Sequence, residues 1–342
     1  MPKRPKKPNL DQVASKTLAL VLGGGRGLPE LGGSSRRPAT NQERKRMSLP
    51  GKSMKIGGYN YHVSDQGKGD KVAFLVHGMP DDGSCWKYQA PALLKAGYRV
   101  IVPDTLGYGG TDRPVEVEHY KVENIIEHMF EIIDKLGLKD INLMGHDWGS
   151  AITWPMVLQR PELFRKFISM SVGHLRCVFG QAHETPERMY ECLKANWYMY
   201  MHCLDGVEEL YMANDFRFFR SFFCQHPEAE AVINAIKETG RIEWLNYDRA
   251  NHVPMDYLAQ AKDPNSLPNC KVPTMVIFPE DDMFLWKTQA IDTPTRMDAE
   301  CRIEIIQGGH WSMLDHPDDV NKLMVEWFDS EPSTARADVL EA

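Results

Sequence analysis

Short apolar runs recur along the chain between turns rich in glycine and proline. Tyr59 to Ser64 and Lys71 to Val76 read as strands, the second ending at His77-Gly78-Met79-Pro80. Tyr98-Arg99-Val100-Ile101-Val102, Ile141-Asn142-Leu143-Met144, Phe167 to Val172, Lys271 to Phe278 and Ile303-Glu304-Ile305-Ile306 read as further strands. Between them the period changes. Ile125, Ile126, Met129, Ile132, Ile133 and Leu136 follow helical spacing, with Gly137 as the C-cap, and Leu93-Leu94 and Val320 to Phe328 lie on further helices. Such alternation predicts an α/β fold, a mostly parallel sheet covered by helices on both faces.

The alternation stops between about Leu175 and Asn269, where stretches rich in Met and aromatic residues at helical spacing take over, and it restarts at Lys271. The expected organisation is therefore a core built from residues 54–174 and 270–330, with an inserted helical cap over 175–269 and a short tail at 331–342. Residues 1–53 differ in composition. Lys3, Arg4, Lys6, Lys7, Arg36, Arg37, Arg44, Lys45 and Arg46 make them basic, and Gly, Pro and Ser are frequent, as in a disordered extension. Gly23-Gly24-Gly25-Arg26-Gly27 resembles a phosphate-binding loop, but the strands and helices that such a loop requires do not follow it, so no nucleotide is expected.

With 342 residues, 42% of them hydrophobic, the chain can bury one large core. A net charge of -7 argues against a nucleic-acid partner. The 7 cysteines are scattered without a C-x-x-C pair and read as reduced thiols, which points to a cytoplasmic protein, the basic extension leaving an organellar or nuclear address open. No apolar run approaches the roughly 20 residues of a membrane span.

The chemistry centres on Gly145-His146-Asp147-Trp148-Gly149, where an apolar strand runs through a Gly-x-nucleophile-x-Gly turn into a helix. A carboxylate holds the nucleophile's place. It is already ionised and can displace a leaving group at saturated carbon, giving an alkyl ester of Asp147. Epoxides or carbon–halogen bonds suit that step. The ester then needs a base for water, and His310, in Gly308-Gly309-His310-Trp311 after the last strand, is placed for it. An acid after the preceding strand would orient the imidazole, and Glu280, Asp281 and Asp282 all stand there. The oxyanion formed during hydrolysis needs backbone N–H groups, expected from Trp148 and Met79. Pro155, about two turns into the elbow helix, should kink it at a cost of about 3 kcal/mol.

From about Met54 to Ser330 the chain resembles the soluble epoxide hydrolase branch of the α/β-hydrolase family, which also contains haloalkane dehalogenases. The residues that carry the resemblance are His77-Gly78-Met79-Pro80, the loop Pro103 to Asp112, Gly145-His146-Asp147-Trp148-Gly149 and Gly309-His310-Trp311. The resemblance implies a triad of Asp147, His310 and Asp282, an epoxide and water as substrates, a vicinal diol as product, and no cofactor or metal. It also implies two cap tyrosines that donate to the epoxide oxygen. Tyr198, in Asn196-Trp197-Tyr198-Met199-Tyr200, matches the first. The second segment reads Leu245-Asn246-Tyr247-Asp248-Arg249, with Asp248 in the tyrosine's place, so Tyr247 or a protonated Asp248 would have to supply that donor. His77 and Trp197 complete the expected substrate contacts. Haloalkane dehalogenation is the alternative, with Trp148 and Trp197 as halide donors; an arginine after the nucleophile, which a haloacid would require, is replaced by Trp148. A catalytically silent ligand-binding protein of the same fold is the other alternative, and a homodimer is left open.

Overall fold

The computed structural model describes residues 49–252 and 267–331. The glycine-rich loop, nearly all of the basic extension, the end of the expected cap and most of the tail lie outside the described residues.

β1 (Lys52–Ile56), β2 (Tyr59–Gln66), β3 (Lys71–Val76), β4 (Tyr98–Pro103), β5 (Ile141–His146), β6 (Phe164–Met170), β7 (Thr274–Pro279) and β8 (Cys301–Ile306) form one sheet in the order β1-β2-β4-β3-β5-β6-β7-β8. β1 and β2 run antiparallel to their neighbours, and every pair from β4 to β8 is parallel. All of β5 and β7 is buried, as is β3 after Lys71, which is why these strands read as unbroken apolar runs: a parallel strand covered on both faces has no solvent side. β1 escaped the sequence reading. It is an edge strand, KSMKI, with only Ile56 buried, so it carries no apolar run.

The helix Val122–Leu136 ends at Gly137 in the left-handed conformation, φ 62°, as its spacing predicted. It packs on the elbow helix Trp148–Gln159, while Gln89–Lys95 packs on the final helix Pro317–Asp329. Pro155 lies within Trp148–Gln159, and the helix continues through it to Gln159.

Between β6 and β7 the described chain is helical: Pro186–Ala195, Trp197–His202, Val207–Phe222, Ala229–Thr239 and Leu245–Ala250. The third is broken at Ala213–Phe216, where Asn214, Asp215 and Phe216 take positive φ. Tyr211, Phe222, Phe223 and Trp244 form an aromatic cluster within this stretch, and Phe223 carries it onto Phe284 and Trp311 of the core. The helices are thereby anchored over the carboxyl ends of the strands that carry the candidate site.

Candidate active site

Parallel pairing assembles the site. β3 pairs with β5 so that Val76 faces Gly145, which brings the turn after β3 against the elbow after β5. β7 pairs with β8 so that Pro279 faces Ile306, which brings the Asp282 loop beside the His310 loop. Both junctions lie at the carboxyl ends of the strands, where open α/β sheets place their ligands.

Asp147 takes φ 53° and ψ -122°, a sharp turn that non-glycine residues adopt rarely and that lifts the side chain above the sheet. Close contact on all sides leaves no room for a Cβ at neighbouring positions. One on Gly78 would stand 2.5 Å from Asp147 Cβ, one on Gly149 would meet the Val76 carbonyl, and one on Gly145 would meet Thr153. The spacing Gly-x-Asp-x-Gly is thus a packing requirement of the turn.

The carboxylate of Asp147 has two distinct oxygens. The Met79 amide donates to Oδ1 at 2.7 Å, and His310 Nε2 stands 3.4 Å from Oδ2. His310 Nδ1 is 2.8 Å from Asp282 Oδ2, while Asp282 Oδ1 accepts the Phe284 and Leu285 amides at 2.9 and 3.1 Å. Asp282 is thereby selected from the three acids in its loop: Glu280 pairs with Lys287 and Asp281 is exposed. The Trp148 amide opens the elbow helix, where no intrahelical acceptor exists for it.

Burial disfavours a charged His310, but the Asp282 charge, hydrogen bonding to Asp147 and Asp282, and the Asp147 charge outweigh it and lift the imidazole to about 10. Burial also opposes ionisation of Asp147, and the same His310 contact overcomes it and holds the carboxyl below its ordinary value. The resting arrangement is an imidazolium between two carboxylates. His146, packed at 4.6 Å from His310, is pushed down to about 4, chiefly by burial. It stays neutral, and its Nε2 donates to the His310 carbonyl at 2.9 Å, fixing the loop that carries the base.

Three expected substrate contacts are not brought to the site. His77 is buried with both ring nitrogens taken up by the backbone: Nε2 accepts from the Thr105 amide at 2.9 Å, so Nδ1 carries the proton and donates to the Gly78 carbonyl at 3.1 Å. It locks the Met79 turn to the loop Pro103 to Asp112. Tyr247 donates its hydroxyl to the Leu106 carbonyl at 2.9 Å and packs its ring on Trp148 at 5.4 Å. Trp197 is 51% exposed, because consecutive helical residues point about 100° apart and its neighbour Tyr198 takes the inward direction.

Tyr198 and Asp248 do point inward. Tyr198 is 7% exposed and packs against Phe222 and Phe284, and burial, followed by the charge of Asp147, keeps its phenol protonated. Asp248 is fully buried against His202, which sequence reasoning missed. A histidine separated from its acid by 46 residues in a helical stretch leaves no periodic signal. Among the described residues no cluster of His, Cys, Asp and Glu could hold a metal ion, and no helix is long and apolar enough to cross a membrane.

Comparison with known proteins bears on these features. The sequence profile of the alpha/beta hydrolase fold matches residues 74–317. The chain is 28% identical over 307 residues to bifunctional epoxide hydrolase 2 of Sus scrofa, covering 80% of this chain and 54% of that relative, so it spans about half of that protein's length. It is 27% identical over 289 residues to epoxide hydrolase 4 of Homo sapiens, covering 79% and 76% of the two chains. Among solved structures, epoxide hydrolase A of Mycobacterium thermoresistibile superposes with a TM-score of 0.70 at 21% identity, covering 82% of this chain and 98% of that one. An inhibitor complex of the Bacillus megaterium epoxide hydrolase gives 0.72 at 19%, covering 82% and 100%. The match of the family profile across most of the core, together with the strand order and the aspartate elbow, means that this chain belongs to the α/β-hydrolase fold family.

Proposed function

We propose that the protein hydrates an epoxide to a vicinal diol through an alkyl ester on Asp147. The observation that carries this reading is the division of labour on one carboxylate: Oδ1 rests on the Met79 amide and Oδ2 faces His310. In the first step Oδ2 attacks an epoxide carbon, the carbon–oxygen bond breaks, and the released oxygen takes a proton. Tyr198 donates a hydrogen bond to that oxygen. The attack removes the negative charge of Asp147. Two of the influences that raised His310 vanish with it, so its proton leaves and it becomes a base. Neutral His310 then takes a proton from water as the water oxygen attacks Asp147 Cγ. The oxyanion forms on Oδ1, already seated against Met79 and close to the helix start at Trp148. The Cγ–Oδ2 bond breaks, the diol leaves with Oδ2, and Asp147 keeps the water oxygen.

In this reading the described helices within the expected span 175–269 form a cap over the substrate, residues 54–174 and 270–330 are the core beneath it, and the reactants are an epoxide and water. The names of the relatives support the substrate class. Haloalkane dehalogenation is less well supported, since Trp197, its second halide donor, faces outward. Single-turnover reaction in heavy-oxygen water tests the mechanism. The label is expected in Asp147, with unlabelled diol released first; a labelled first-turnover diol would mean direct attack by water and would overturn the ester.

A further inference from the structure

A second chain of buried polar groups lies beside the triad. Tyr211 OH and His202 Nε2 are 2.7 Å apart, and His202 Nδ1 bonds Asp248 Oδ2; all three side chains are fully buried. Taking the Tyr211 hydroxyl as donor to Nε2, the imidazole carries a proton on Nδ1 and donates it to Asp248 Oδ2. Asp248 Oδ1 is left buried without a hydrogen-bond partner. A buried carboxyl oxygen in that condition costs free energy unless a group in the working site engages it. The site is close. His202 packs on Tyr198 at 5.3 Å, Asp248 lies close enough to Tyr198 and Tyr108 for its charge to act on both once it ionises, and the Trp148 side chain, next to the nucleophile, reaches the Asp248 carboxyl as a longer-range hydrogen-bond donor.

We propose that Asp248, oriented by His202 and Tyr211, is the acid that protonates the oxygen released when Asp147 opens the substrate. This rests on the epoxide reading above and assigns its missing proton source. With Oδ2 committed to the Nδ1–H of His202, the proton of a neutral Asp248 sits on Oδ1, the unpartnered oxygen. As Asp147 Oδ2 bonds to carbon, the electron pair of the breaking carbon–oxygen bond moves to oxygen and takes the Oδ1 proton. Asp248 becomes a carboxylate stabilised by His202. The proton shed by His310 after alkylation restores Asp248 through solvent, and His310 regains one from water in the hydrolytic step, so the cycle adds one water to one epoxide.

The electrostatics shift Asp248 toward its neutral form. Burial raises its pKa most; the His202 contact lowers it, the charge of Asp147 raises it, and Trp148 lowers it. Tyr108, Tyr198, Tyr211 and Cys203 also face it and are held neutral, chiefly by burial, and Arg249 lies on its own helix with its guanidinium committed to Glu208. Ring opening should therefore fall with rising pH as Asp248 ionises. His202 is a positioning residue: without its N–H bond the carboxyl should ionise at higher pH.

The test is the rate of Asp147 alkylation by styrene oxide across pH, read by quenched-flow peptide mass, in the wild type, Asp248→Asn and His202→Phe. Asp248→Asn is expected to slow alkylation about a hundredfold, the scale of lost general-acid catalysis, and to flatten the limb that falls with rising pH. His202→Phe should move that limb to higher pH, which a packing role alone would not do. Should Asp248→Asn fold poorly, the His202→Phe profile decides. An unchanged limb in either variant, or wild-type alkylation rates in Asp248→Asn, would overturn the proposal. No ester on Asp147 in the wild type would instead sink the epoxide reading itself.

Discussion

His310 Nε2 stands 3.4 Å from Asp147 Oδ2, while its Nδ1 is held at 2.8 Å by Asp282. The base is thus poised by the nucleophile it will later relieve. While Asp147 is charged, His310 is an imidazolium; once Asp147 is esterified, that charge is gone. In the proposed cycle a single ion pair therefore switches the histidine between its two states in step with the reaction.

Replacing His310 with Gln should separate the two steps. Asp147 remains ionised and still attacks, but nothing removes the proton from water. Incubation with an excess of epoxide is expected to leave an adduct of substrate mass on the peptide containing Asp147. A variant that stays unalkylated would assign His310 to the first step as well.

The same pair gives a pH signature in stability. His310 is raised from an ordinary 6.5 to about 10 in the folded chain, so folding binds its proton more tightly. The stabilisation is complete below about pH 6.5, where the unfolded imidazole is also protonated, and it declines as pH rises toward about 10. Denaturant titrations of wild type and His310→Gln should therefore differ most at or below neutral pH and converge toward pH 10. A difference that widens with rising pH would contradict the assigned charges.

In the proposed mechanism Tyr198 offers its hydroxyl to the forming alkoxide. Because a hydrogen bond to charge contributes about 1.5 to 3 kcal/mol, Tyr198→Phe should slow epoxide opening by about tenfold to a hundredfold. Hydrolysis of the preformed ester should keep its rate. Pre-steady-state alkylation and single-turnover diol release measure the two separately.

Asp104 ties the loop after β4 to the segment after the Met79 turn, since its Oδ1 accepts the Gly83 amide and its Oδ2 the Gly110 amide, each at 2.8 Å. Asp104→Ala leaves the buried Gly83 donor unsatisfied, whereas exposed Gly110 can turn to water. A loss of about 1–3 kcal/mol of stability is expected from urea unfolding.

Substrate panels distinguish the epoxide reading from its closest rival. With Trp197 facing solvent and Met79 lacking a side-chain donor, a departing halide has Trp148 alone among the expected donors. Diol release from aryl and alkyl epoxides should exceed bromide release from matched bromoalkanes by about tenfold or more, the scale of one lost hydrogen bond to charge. Faster bromide release would transfer the assignment to dehalogenation.

The sequence by itself determined the parallel sheet and the elbow, for reasons local to the chain. Strands covered on both faces must be apolar throughout, as β5 and β7 are, and the glycines at 145 and 149 follow from a turn with no room for a Cβ. The amphipathic helix ending at Gly137 declared itself by spacing. Only the tertiary structure decided which side chains face the reaction. Asp282 was separated from Asp281 and Glu280 by the packing of two loops, and His77 and Tyr247 were withdrawn by acceptors at Gly78 and Leu106 that no linear pattern reveals. Trp197 and Tyr198 are adjacent in sequence, yet one turns to solvent and the other to the site, since helix rotation fixes their relative direction but only packing fixes the absolute one. The pairing of His202 with Asp248 lies furthest from anything legible in the chain: its partners come from separate helices, and packing of those helices buries both side chains completely against each other.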